Sequence, residues 1–351
     1  MQSSLTGFRR PTFRFTSVNA GGTPLGVLPS VWRDEGGLDL SQQATIRGSG
    51  DLSRAVADGA ISDRIKVEYV LDQDTPHEKA WPLGVYYSAS PVTAYNSMVA
   101  SSSVEIYDGL LVLHEDAIPT PLHLPVGTNP VAEVLYQLTL VGANRYAVVQ
   151  TTKTLKAAMT FKAGTTRLQI INQLLAAADY WAIWCDGDGV YQIQPYVEPA
   201  QRPIEWRFLP GRDSIFSADV EVEDDIYAVP NRVIGLSRTT GEEPPLTATA
   251  TITDTSSPYH FNNLGRWRTE VLEDVDVTEQ ADLQKKVNRR LLEASTVARK
   301  VTLRHGWVPI TINSVVYLDA FGVTGRFVVI NQAIPFDPKE LVTSTLREVV
   351  G

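Results

Sequence analysis

A chain of 351 residues, 43% hydrophobic and 20% charged, has the balance of a folded protein, and it is too long for one ordinary core, so two or more domains are expected. A net charge of −9 excludes a general nucleic-acid binder, which needs surplus Lys and Arg facing phosphate. One cysteine, Cys185, excludes an internal disulfide and a multi-cysteine metal site, and neither an apolar run long enough for a membrane span nor a signal peptide is found.

Residues 1 to 50 are rich in Gly, Pro and Ser. Arg9, Arg10 and Arg14 interleave with Phe8, Phe13 and Phe15, which fits a strand over Thr12 to Val18 with one buried face better than an arm that contacts phosphates. Gln43 to Arg47 is a second strand-like piece, and the glycines between Asp34 and Gly50 predict a loop or long hairpin. Ile65, Val67 and Tyr69 alternate. DQDTPHEKAWP is then a turn-rich excursion, with His77 and Glu78 too isolated for a metal site. Val85 to Ala89 is expected to be a strand ended by Ser90-Pro91, followed by a hairpin of Val92 to Ser97 with Ser101 to Tyr107.

Between residues 108 and 160, Asn129 can cap a helix, Pro130 suits its first position and Gly142 the place just past its end. Val131, Val134, Leu135 and Leu138 mark the buried stripe. His114, Glu115, Asp116 and His123 match no ligand spacing, and Pro119, Pro121 and Pro125 predict an extended connector.

Residues 165 to 196 are the clearest unit. Thr165 or Thr166 can cap a helix whose stripe is Leu168, Ile171, Leu175 and Ala178. Trp181, Ile183 and Cys185 then alternate, Asp186-Gly187-Asp188-Gly189 supplies a turn, and Val190, Tyr191 and Ile193 resume as strand. A calcium loop would need oxygen ligands where Val190 and Val197 stand, so DGDG is a hairpin turn. Cys185, in the alternating strand, is expected to be a buried, inert thiol.

VEPAQRPIEW is a proline-punctuated connector, and Ile204 to Phe208 a strand. Glu221, Glu223, Asp224 and Asp225 interleave with Val220, Val222 and Ile226; this is the wet face of an edge strand more simply than a pair of glycosidase carboxylates. Arg232 to Ser237 and Ala248 to Thr253 form a hairpin pattern. Thr278 caps the longest helix, 279 to 295, whose stripe of Leu283, Val287, Leu291 and Ala294 is expected to pack across a barrel with Lys285, Lys286, Arg289 and Arg290 largely off it. Arg299 to His305, Ser314 to Leu318, Arg326 to Gln332 and Val342 to Val349 complete the strands. Gly84 to Tyr107 and Gly325 to Glu348 are both steps of 23 positions, which suggests that the two ends are structural duplicates. No Gly-rich phosphate loop, HExxH, GxSxG or CxxC occurs.

The segment TTRLQIINQLLAAADYWAIWCDGDGVYQIQPY resembles the middle of the hub-type minor tail proteins of long-tailed bacteriophages, which are similar to the trimeric baseplate hub of contractile-tailed phages. VEYVLDQDTPHEKAWPLGVYYSASP and VEIYDGLLVLHEDAI before it, and VPNRVIGLSRTTGEEPP, TITDTSSPYHFNNLGRW and VTEQADLQKKVNRRLLEASTVARKVTL after it, extend the resemblance over roughly residues 45 to 330. The resemblance implies a β-rich α+β fold with two tube-like antiparallel β-barrels joined by small α+β domains: a barrel over 1–110, α+β connector domains over 111–215, and a second barrel with the long helix over 216–351.

The implied role is that of a structural tail hub in the virion, assembled in the host cytoplasm. A homotrimeric ring adapts the six-fold tail tube to a three-fold tip and closes the channel until genome ejection. Implied partners are the tail tube or distal tail protein, the tape-measure protein and tip spike or fibre proteins, with DNA passing without specific binding. No catalytic, cofactor or metal residues are expected, nor is a lytic extension expected beyond the last strand at Gly351. Two other classes remain open: a receptor- or carbohydrate-binding module using Trp32, Trp81, Trp267 and Trp307, and a wall-degrading enzyme using the acidic run.

Overall fold

The computed structural model describes residues 10–28, 31–55, 64–95, 100–212, 214–223, 229–238, 244–257, 259–277, 279–295 and 299–349. The chain opens with β1 (Pro11–Val18), β2 (Pro24–Val27), β3 (Val31–Ser41), β4 (Gly48–Ala55), β5 (Arg64–Leu71), β6 (Lys79–Tyr95) and β7 (Ala100–Asp108). A first α+β unit follows: α1 (Leu110–Glu115), β8 (Leu122–Leu124), α2 (Pro130–Leu140), β9 (Tyr146–Val148), β10 (Met159–Phe161), α3 (Arg167–Ala177), β11 (Trp184–Cys185) and β12 (Tyr191–Ile193). β13 (Trp206–Phe208) and β14 (Phe216–Glu223) lead to a second unit of β15 (Arg232–Ser237), β16 (Thr247–Thr251), α4 (Phe261–Leu264), β17 (Thr269–Val275) and α5 (Gln280–Ser295). The chain closes with β18 (Lys300–His305), β19 (Val315–Ala320), β20 (Val323–Pro335) and β21 (Val342–Glu348).

Thirteen strands form one sheet in the order β14-β18-β21-β20-β3-β4-β7-β6-β5-β1-β2, with β19 and β13 attached beside β20. Strands β3 to β7 lie as β3-β4-β7-β6-β5, and every neighbouring pair is antiparallel. Strands β14 and β18 to β21 lie as β14-β18-β21-β20-β19, again antiparallel throughout. Numbered along the chain, both sets read 1-2-5-4-3, so the duplication suggested by the two equal glycine steps holds in strand order and direction. The glycines correspond in detail. Gly84 and Gly325 share φ 158°, and each is followed two residues later by an aromatic ring that lies over it: a Cβ on Gly84 would fall 2.5 Å from the Tyr86 ring, and one on Gly325 3.8 Å from the Phe327 ring.

β20 belongs to both halves. It pairs with β19 and β21, and its last residues, Asn331 to Pro335, pair with Ser41 to Gly37 of β3. The sheet also curls. β1 lies six strand positions from β20, about 29 Å in a flat sheet, yet Phe13 and Phe15 on β1 meet Phe336 edge-on at 5.4 and 4.9 Å. Tyr69 of β5 likewise stacks on Trp307 at 4.2 Å. One hydrophobic core therefore serves both halves. Among the described residues no strand pairing closes this sheet into a barrel; it is one large curled sheet, antiparallel except where β13 runs parallel to β19.

Local chemistry explains most elements. Phe13 and Phe15 are buried while Arg14 pairs outward with Glu68 and Glu78, both at 2.8 Å, as the alternation predicts. Asn129 caps α2 through Ala132 N–H with Pro130 in the first turn, and Thr166 forms a capping box with Gln169 on α3. Three expectations change. Gln43 to Arg47 is the bend of the β3–β4 hairpin, closed by Ser41 N–H donating to the Arg47 carbonyl at 2.8 Å. Pro91 does not end its strand: β6 runs through it, and the register shift between Ala89 and Val92 absorbs a residue that has no N–H to donate. His114 and Glu115 lie on α1, an unexpected helix too short for its period to show in the sequence.

The stripe of α5 is buried, with Leu283 and Val287 at 0% exposure, but against β15 and β16 instead of the large sheet. Gly235 on β15 makes the close approach possible, since a Cβ there would fall 2.4 Å from Val287 Cγ2. Arg290 of the basic face pairs with Glu270 at 2.7 Å, and Arg289 reaches Glu198 beside the first α+β unit at 3.2 Å. The Thr278 cap, Asp224, Asp225 and Ile226 lie outside the described residues.

Candidate functional site

A concavity lies where the two halves of the sheet meet the first α+β unit. Asp108, the last residue of β7, is 7% exposed. Its Oδ1 accepts from Leu110 N–H at 2.9 Å and its Oδ2 from Gly48 N–H at 2.7 Å, so one carboxylate ties the start of β4 to the start of α1. Burial pushes its pKa up to about 6, although the two N–H donors and nearby Arg47 oppose the shift.

The DGDG hairpin docks from the other side. Asp186 Oδ1 accepts from the N–H groups of Asp188 and Val190, and its Oδ2 from Gln192, so its carboxylate is occupied in building the turn. Asp188 reaches across to Lys66 on β5 at 2.9 Å. A Cβ on Gly187 would fall 2.3 Å from the Pro82 carbonyl oxygen, and one on Gly189 2.7 Å from Val85 Cβ, so both glycines let backbone press on β6. Tyr191 Oη donates to the Gly109 carbonyl at 2.6 Å. Burial first, and then Asp108, push the Cys185 thiol well up, which keeps it protonated and a poor nucleophile.

Between hairpin, β6, β20 and the 309–313 loop lies a cavity of about 270 Å3 whose lining includes Trp81, Leu83, Asp108, Trp184, Trp307 and Gln332. The sequence marks Asp108 and Gln332 only as ordinary strand residues, so nothing in the pattern singles them out.

The other residues singled out by the sequence do not converge. His123 Nδ1 lies 2.9 Å from Thr160 Oγ1, while Asp116 pairs with Arg167. Glu78 is held by Arg14 and by Asp74 N–H. No group of His, Cys, Asp and Glu among the described residues could hold a metal ion. Glu221 and Glu223 are exposed on β14, which is an edge of the large sheet, as expected. Trp307 is buried and Trp81 half-buried against the core, with their rings 5.3 Å apart, so neither stands on the open surface as a sugar platform and both face the cavity instead. Trp267 is 41% exposed, but Phe261 stacks on it at 4.5 Å and the Arg232 guanidinium lies 4.9 Å from its ring centre. The Trp32 side chain lies outside the described residues.

Neither a protein-family model nor a curated protein matches the sequence. Solved structures do. A tail protein from Neisseria meningitidis MC58 superposes with a TM-score of 0.69 at 14% identity, covering 96% of both chains. The 43 kDa tail protein of prophage MuSo2 from Shewanella oneidensis gives 0.64 at 12% identity, covering 96% of this chain and 98% of that one. This chain has the phage tail-protein fold. The prophage tail protein gp18 from Listeria monocytogenes EGD-e agrees at 0.56 and 10% identity, over 96% of this chain and 94% of that one. The likeness runs through nearly the whole tail-protein fold, so it includes both halves of the sheet and both α+β units.

Proposed function

We propose that this chain is a structural hub of a bacteriophage tail, a virion component at the tail tip that is assembled in the host cytoplasm. Three copies form a ring that adapts the six-fold tail tube to a three-fold tip and closes the channel until the genome is ejected. The observation that carries this reading is the repeated 1-2-5-4-3 strand order. One chain thereby offers two like surfaces, and three chains offer six. In the ring the halves act as two tube-like barrels over 1–110 and 216–351, with 111–215 as the connecting α+β region. The neighbours are the tail tube or distal tail protein above, a spike or fibre below, and the tape-measure protein and DNA within.

Two features support contacts between copies. The sheet ends in β2 on one side, where Leu25 and Val27 are 65% and 57% exposed, and in β14 on the other. Unpaired edges invite another chain. The charge of −9 suits a channel that lets DNA slide without phosphate contacts. Imaging of the assembled particle tests the proposal: three copies at the tip with acidic side chains toward the axis are expected. A six-fold or monomeric arrangement, or a channel lined by Lys and Arg, would overturn it.

A further inference from the structure

The cavity at the junction has the attributes of a ligand site and no role in the hub reading. Its 270 Å3 lies between the roughly 150 Å3 that holds one benzene and the roughly 300 Å3 at which drug-sized pockets begin. Its walls are largely indole and aliphatic. Trp81 and Trp307 meet at 5.3 Å with their planes inclined at 51°, and Trp184 comes from the hairpin opposite. Such walls favour rings, which stack or meet edge-on.

The polar groups narrow the choice. Gln332, 2% exposed, donates Nε2 to Ser344 and leaves Oε1 without a hydrogen-bond partner. A buried acceptor in that state is costly unless something donates to it. Arg47, Asp108 and Asp186 also border the space; one cation against two carboxylates disfavours an anionic guest, and both carboxylates already accept from N–H donors of the protein, so neither is left free for a cation.

We propose that this cavity binds one uncharged aromatic group of one or two rings carrying an O–H or N–H donor, which it gives to Gln332 Oε1. The ring arrives as a free small molecule or as the side chain of a bound polypeptide.

Ligand-observed NMR on the full chain tests this with p-cresol, with toluene as the ring lacking a donor, and with N-acetyltyrosinamide as the ring attached to backbone. Saturable p-cresol binding is expected. Gln332→Leu should reduce the preference for p-cresol over toluene by about tenfold, the effect of one net hydrogen bond. Leu83→Trp, at a half-buried wall position, should fill the space and abolish binding by both probes while the thermal midpoint shows the variant folded. Entry of N-acetyltyrosinamide would identify a polypeptide source, and its exclusion a free molecule. No saturable p-cresol binding at millimolar concentration, or unchanged binding in folded Leu83→Trp, overturns the proposal.

Discussion

Replacing Gly235 by alanine sets a new methyl against α5. The added Cβ would lie 2.4 Å from Val287 Cγ2 and 3.2 Å from Leu283 Cδ1. Carbon atoms rest at about 3.5–4.0 Å, so Val287 or the helix must retreat by more than about 1 Å. Overpacking of this kind costs about 1–3 kcal/mol, offset by about 0.5–1 kcal/mol because alanine has less freedom than glycine to lose on folding. Val287→Ala alone removes two fully buried methyl-sized groups and costs about 2 kcal/mol. In the double variant the new methyl enters the space that Val287 vacates, and the clash disappears. The two changes together should therefore cost at least about 1 kcal/mol less than their sum. Urea unfolding of the four proteins measures the coupling. Native-state hydrogen exchange at the α5 amides locates it, because the unit has a separate small core. Additivity to within about 0.5 kcal/mol would show that β15 and α5 do not touch as described.

Val287→Asp places a carboxylate at a position with 0% exposure and should cost several kcal/mol; wild-type thermal stability would refute the packing. Asp108 has a folded-state pKa raised from 3.8 to about 6, so the native state holds its proton more tightly. Its contribution is complete below pH 4 and is lost as pH rises through 6, on the order of 3 kcal/mol. Stability against urea should fall by that much more in the wild type than in Asp108→Asn between pH 4 and pH 7, and equal slopes would refute the shift. Gly187→Ala meets the Pro82 carbonyl at 2.3 Å and should loosen the hairpin, speeding amide exchange in β11 and β12 but not in β18 or β21. Unchanged exchange there would show that the hairpin tolerates a side chain against β6.

The sequence discloses elements whose signals are local. Asn129-Pro130 and Thr166 with Gln169 announce helix starts through backbone amides that lack partners, and the structure uses them so. The phenylalanines and arginines of β1 announce a strand with one dry face. Long-range pairing is a different matter. Nothing in Gly37 to Ser41 says that its partner lies some 290 residues away in β20, because any exposed strand edge satisfies the same N–H and C=O groups. The α5 stripe likewise states that it is buried but not by what; the deciding residue is Gly235, which is informative by lacking a side chain. The junction was the least legible part. Asp108 and Gln332 become unusual only when burial removes water from them, and burial there results from three distant segments meeting.

The double membership of β20 bears on how the molecule can move. One strand is stitched into both halves, and five consecutive residue pairs with β3 would have to break before either half could swing away from the other. A shared strand is not a hinge. The pair of halves is therefore expected to move as a single stiff body, and in the proposed ring any widening of the channel would come from sliding between neighbouring chains or from displacement of the second α+β unit, which holds to the segment after the first by pairs such as Arg289 to Glu198.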